Sequence, residues 1–284
     1  MFAREQPADE GAAPRLGRDR ASLITAVAVI GLGLVAWVGV IADASKAGMP
    51  GMETPPSAMD HGDMADGTGS SVMSAAAFLV AWGVMMAAMM LPSAAPMIAL
   101  YGAIHRHSGR TGQGGISVVA FSLLYLVAWL LFGVPVYGAQ LAVDALVESS
   151  PAVAGLLPYA LAIVLIVAGA YQLSPLKTVC LRACRSPLGF LMARWRAGYL
   201  GTLRLGVAHA LYCIGCCWAL MVVLVAAGAM GLHWVLLVAA LVALEKLAPG
   251  GVVVARAAGV ALVVLGLLVA VEPSLYGVLR GMTM

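Results

Sequence analysis

Charge is what this sequence has least of. Asp, Glu, Lys and Arg make up 10% of its 284 residues, whereas a soluble domain carries roughly 25%. Hydrophobic residues reach 62% and the mean hydropathy is +0.99. A water-soluble fold of this length would lack the polar side chains needed to cover its surface, so apolar residues must face lipid or other spanning helices. There is no basic tract able to neutralise a run of phosphates, which excludes nucleic acid as a partner. Cysteine is scarce and odd in number, at five, and none lies in a predicted outer loop. That excludes a disulfide-stapled secreted scaffold. Internal repeats and ATPase motifs are missing, and no glycine cluster sits between a strand and a helix as a nucleotide fingerprint requires.

What is present is a series of apolar runs, each near the 20 residues that a bilayer core demands. They fall at about 21–42, 73–100, 116–142, 152–173, 205–230, 233–247 and 251–271. The expected fold is therefore all-α, a polytopic transmembrane helical bundle of about seven spans. The sixth run is short, so six is the competing count. Charge supplies an independent reading through the positive-inside rule. With the N-terminus inside, fourteen of the sixteen basic residues fall on the inner side, Lys46 and Arg280 being the exceptions, while Asp43, Glu53, Asp60, Asp63, Asp66, Asp144, Glu148 and Glu272 fall outside. This predicts an N-in, C-out topology. The chain then divides into a basic cytoplasmic N-terminus (1–20), an anchor (21–42) too long for a signal-peptide core, and an outer loop rich in Met, His and Asp (43–72). A transmembrane bundle (73–271) with an inner segment at 174–204 follows, then a C-terminal tail (272–284).

Methionine is abundant, with sixteen residues, and it is clustered. In the second run, Met85 and Met89, and Met86 and Met90, are each four apart and stack on one helical face. Thioethers are soft, uncharged ligands suited to Cu(I), and they enter a membrane without a carboxylate's desolvation penalty. Pro92 and Pro96 follow and are expected to interrupt the helix, freeing backbone carbonyls. Flexible core filler is the other reading of such methionines. In the fifth run, His209, Cys213 and Cys216 fall within about 60° of one another on a helical wheel, with Cys217 on the neighbouring stripe. Counted from the inner end, these cysteines lie about 12 to 18 Å along the axis, near mid-membrane. Zinc would favour four charged or imidazole ligands in paired spacing, so the thioether company points to copper.

Two further groups flank the bundle. Cys180 and Cys184 stand four apart beside Lys177, Arg182 and Arg185 at the inner mouth, where neighbouring cations are expected to lower the thiol pKa. They fit a metal-accepting pair, a redox pair or an interfacial turn. In the outer loop Met59, His61 and Met64 fit a weak, exchangeable copper site or a plain linker. Glu245 and Lys246, at the inner end of the sixth run, are expected to satisfy each other. Residues 188–196 interleave arginines with apolar side chains, as in an amphipathic helix on the inner leaflet or a solvated basic loop.

The ordered motifs resemble a known family. Trp82 with the Met85 to Pro92 run, Pro175-Leu-Lys177 with Cys180-Leu-Arg-Ala-Cys184-Arg185-Ser-Pro187, Cys213-Ile-Gly-Cys216-Cys217-Trp218, and Glu245-Lys246 look like the predicted metal-binding integral membrane proteins. That family was long catalogued as a domain of unknown function and includes membrane copper chaperones associated with polyphenol oxidases. The resemblance covers about residues 70–250. It implies copper handling at a bacterial inner membrane and supply to an extracytoplasmic copper enzyme.

The leading expectation is a non-enzymatic carrier that takes Cu(I) from a cytosolic or membrane donor and relays it to that recipient, surrounded by lipid. Its ligands would be Met85, Met86, Met89, Met90, His209, Cys213, Cys216 and Cys217, with Cys180 and Cys184 inside and Met59, His61 and Met64 outside. A membrane thiol oxidoreductase and a scaffold subunit are the competing readings.

Overall fold

The computed structural model describes residues 20–47, 67–107, 114–196, 198–227 and 232–280. Every element among these is helical: α1 (Arg20–Ala47), α2 (Gly67–His107), α3 (Gly114–Ser149), α4 (Pro151–Leu173), α5 (Pro175–Arg185), α6 (Pro187–Arg194), α7 (Tyr199–Ala226), α8 (Leu232–Leu247), α9 (Gly251–Val271) and α10 (Leu275–Leu279). Six of them, α1, α2, α3, α4, α7 and α9, are long and apolar enough to cross a membrane. The sixth apolar run of the sequence is α8, whose 16 residues extend only about 24 Å. Large apolar side chains on the outer faces, such as Val35, Leu131 and Ile163, are exposed, as lipid-facing residues must be.

One local device is used twice at the inner mouth. Ser174-Pro175 ends α4 and starts α5, because proline cannot extend the preceding helix but fits the first helical position of the next. The Ser174 hydroxyl oxygen accepts from the Lys177 amide at 3.3 Å, capping α5. Ser186-Pro187 repeats the break before α6. The chain therefore doubles back in two short helices where one long inner loop would have sufficed. In contrast, α2 runs unbroken through Pro92 and Pro96, so the expected interruption does not occur.

Packing follows small residues. Gly33 of α1 leaves the space that Pro92 of α2 fills, since a Cβ there would lie 2.8 Å from the proline ring. The antiparallel pair α4 and α9 is closest of all: a Cβ on Gly169 or Gly259 would strike the facing helix, backbone included. α2 and α7 meet through their common neighbours α3 and α8, and α5 lies along α7. The inner segment is clamped by rings and charges. Phe190 and Leu191 of α6 are buried, and the Arg194 guanidinium lies 5.0 Å from the Tyr212 ring centroid while donating to its hydroxyl at 2.7 Å. Leu188 and Met192 of the same helix point outward. α6 thus has one apolar face in the bundle and a second available to lipid, which is more than a solvated basic loop requires.

Candidate metal centre

The α7 cysteines converge because of helical spacing. Cys213 and Cys216 are three residues apart, and Cys213 and Cys217 four, so all three project toward one side of the helix. Their sulfurs lie within 4.8 Å of one another, Cys216 and Cys217 at 3.2 Å. Metal–sulfur bonds of about 2.3 Å separate ligating sulfurs by at most ~4.6 Å. The three thiols therefore fit around one small ion with shifts of a few tenths of an ångström. Each is 1% exposed, so a bound ion would be shielded from water.

Other helices complete the surroundings. Cys184 of α5 brings its sulfur to 3.8 Å from that of Cys216. The Tyr125 hydroxyl of α3 shares a 3.0 Å hydrogen bond with Cys213. From α8, the Lys246 ammonium donates to Cys213 Sγ at 3.0 Å and to Ser93 Oγ at 3.2 Å, and lies 3.9 Å from Met90 Sδ. An isolated ammonium buried at 7% exposure is costly unless an anion accompanies it. Of the three side chains that it touches, Cys213 alone can carry negative charge. The pattern of a cation held against a sulfur cluster favours an anionic, sulfur-rich ligand set over a neutral packing core.

The sequence-predicted residues are placed unevenly. Met85, Met86, Met89 and Met90 are all buried, but only Met90 has a polar contact to the thiol cluster, through Lys246. His209 is 3% exposed and lies outside the convergent set of three thiols. It is framed by rings, with centroids 5.7 Å from Phe121, 5.5 Å from Tyr125 and 5.9 Å from Phe190. Cys180 packs against the bare backbone of Gly215, where a Cβ would lie 2.9 Å from its sulfur. Met59, His61 and Met64 lie outside the described residues. The cysteine turn stands level with the last turns of α4 and α8, for the Tyr171 hydroxyl donates to the Gly215 carbonyl and Lys246 to Cys213.

Two expectations are overturned. Glu245 and Lys246 do not pair. Adjacent helical residues differ by about 100° in direction, and Glu245 turns instead to Lys177 Nζ at 2.6 Å and Gln172 Nε2 at 2.9 Å. That frees Lys246 for the sulfurs, a role that sequence reasoning missed. Nor do the cations of α5 activate its thiols. Lys177 is consumed by Glu245, Arg185 donates to the Glu245 and Pro249 carbonyls, and burial pushes the Cys180 thiol up. Contact with the Cys213 sulfur, and then burial, push Cys184 up as well.

A family model described as PpoB2, copper chaperone, matches residues 79–269. The chain belongs to this copper chaperone family. The matched segment holds the methionine turn, both α5 cysteines, the α7 thiols and Lys246, and it leaves out Met59, His61 and Met64. Copper is thus the metal with which the family is associated, and three buried thiols are a donor set compatible with it. Comparison with curated proteins and with solved structures gives no match. In this copper chaperone family member, the cysteine turn of α7 is where three possible metal donors converge among the described residues.

Proposed function

We propose that this membrane member of the copper chaperone family holds Cu(I) on Cys213, Cys216 and Cys217 and hands it to an extracytoplasmic copper enzyme, without catalysing a reaction itself. The observation that carries the reading is the convergence of three fully buried sulfurs on one helix turn. Thiolates are soft donors that favour Cu(I) over harder ions, and Lys246 offsets part of the negative charge such a complex accumulates. Cys184, 3.8 Å from Cys216, connects the cluster to the inner segment, where Cys180 follows on the same helix. Met90 approaches the Lys246 ammonium from the α2 side, and Met85, Met86 and Met89 are buried on the same helix. Met59, His61 and Met64 would receive the ion outside.

The arrangement belongs in a bacterial inner membrane with the arginine-rich α5–α6 segment inside, following the positive-inside rule. An N-in, C-out chain then counts α8 as a seventh crossing. A donor on the inner side and a recipient enzyme outside are the corresponding partners.

The test is anaerobic Cu(I) loading of the detergent-purified full chain, desalting and metal analysis, beside a variant carrying Cys213→Ser, Cys216→Ser and Cys217→Ser. Retention of copper by the wild type and its reduction in the variant is the expected result. If the wild type retains none while Cys184 and Cys216 form a disulfide under mild oxidation, the thiol oxidoreductase reading replaces it.

A further inference from the structure

His209 sets a problem that the thiol cluster does not solve. Neither Nδ1 nor Nε2 has a hydrogen-bond partner among the described residues, although the side chain is almost wholly buried. Leaving both nitrogens of a buried imidazole unmatched is costly, because each has given up its hydrogen bonds to water without replacing them. Such a group is retained either by accident of packing or because something else fills the vacancy.

The surroundings favour the second explanation. His209 lines a cavity of about 240 Å³ between α2, the α5–α6 corner, α7 and α8, and Cys184 and Met97 line the same cavity. An imidazole, a thiol and a thioether facing one space are three donors that accept copper, two of them soft, from three different helices. The ring is held by stacking on Phe121 and Tyr125 and by an edge contact with Phe190. Its orientation is therefore set by apolar contacts, leaving its nitrogens unclaimed.

Building on the copper reading above, we propose that this cavity is a second Cu(I) site, distinct from the α7 cluster, in which the ion is held between His209 and Cys184. Charge decides the class of ion. Arg185 and Lys246 also line the cavity, and no carboxylate does. A monovalent ion bound by one thiolate and one neutral imidazole is electrically neutral, so the two cations do not oppose it. A divalent ion on the same pair would leave a net positive charge beside them, at a cost that the buried setting magnifies. The site selects Cu(I) against Zn(II) by charge as well as by softness. Because Cys184 also lies 3.8 Å from Cys216, it faces both sites, which makes the cavity the antechamber of the cluster.

The experiment uses the full chain in detergent, loaded anaerobically with Cu(I), competed with a chromophoric Cu(I) chelator and examined by X-ray absorption. The variant His209→Phe keeps the ring stacking and removes both nitrogens. The variant with all three α7 cysteines changed to Ser is expected to retain one equivalent of copper with a nitrogen scatterer, no equivalent of Zn(II), and to lose that copper when His209→Phe is added. In the wild type, His209→Phe is expected to remove one equivalent and the nitrogen signal while the sulfur-rich signal persists. Unchanged stoichiometry, an unchanged chelator midpoint and no nitrogen scatterer in the wild type would overturn the second site and leave the α7 reading standing. No retained copper in the wild type overturns both. Should His209→Phe fail to fold, the nitrogen scatterer in the wild type and in the triple variant decides the question.

Discussion

The methionine turn of α2 and the cysteine turn of α7 begin alike and end differently. Both place soft side chains three and four residues apart on one helical face, and both are buried. On α7 the donor atoms come within 4.8 Å of one another. On α2, Met90 alone is drawn toward the thiol cluster, by an ammonium from a third helix. Short side chains on a single turn must converge, because their sulfurs can travel only a bond or two from the helix surface. Long, flexible thioethers converge only when an opposing surface directs them. Here α2 and α7 share α3 and α8 as neighbours, and the contact that links the methionine turn to the thiols is the one from Met90 to Lys246 of α8. Shared spacing thus makes a face in both cases, but a centre in only one.

The comparison can be broken most directly at the cysteines. Cys216→Ser is expected to weaken Cu(I) retention by about 100-fold or more, above the ~10–100-fold typical of groups that only support ligands, measured by chelator competition. An effect no larger than that of a methionine change would put the two turns on an equal footing. Glu245→Ala strands the Lys177 ammonium in the interior at 1% exposure, and losing one partner of a buried pair costs about 3–5 kcal/mol. Its thermal unfolding midpoint in detergent should drop well below the wild type, with Glu245→Gln milder. Lys246→Met removes the cation shared by Cys213, Ser93 and Met90. Copper affinity should fall ~10–100-fold with little loss of thermal stability, and equal affinity would detach Lys246 from the centre. Smallest of all, Met85→Leu and Met86→Leu conserve volume and should each cost less than about 1.5 kcal/mol. Retained copper is expected to stay within threefold of wild type; a larger loss would promote the methionine turn to a ligand site.

Much of this was legible in the residues. The apolar runs mark the six long helices, and the cysteine spacing on α7 marks its own convergence, since both are properties of one segment read at 3.6 residues per turn. What the residues concealed depends on partners far along the chain. Glu245 and Lys246 look like a pair only until α5 delivers Lys177 to one and α7 delivers Cys213 to the other. Cys184 looks like part of an activated pair with Cys180, yet the Ser-Pro breaks fold α5 back so that both cysteines meet one turn of α7, Cys184 at Cys216 and Cys180 at Gly215. The aromatic enclosure of His209 draws on α3 and α6 together. None of these juxtapositions has a local signature.

The glycine-lined seam between α4 and α9 bears on how the protein is made. Gly169 and Gly259 fit together across some ninety residues of intervening chain, and within that stretch lie all five cysteines. During synthesis α4 must wait for its partner while α5, α6, α7 and α8 emerge, so the thiols exist before the seam between α4 and α9 has closed. Copper arriving at that stage would meet a nascent, half-assembled sheath. A chain truncated before Gly259 would leave α4 without the helix that it packs against most closely.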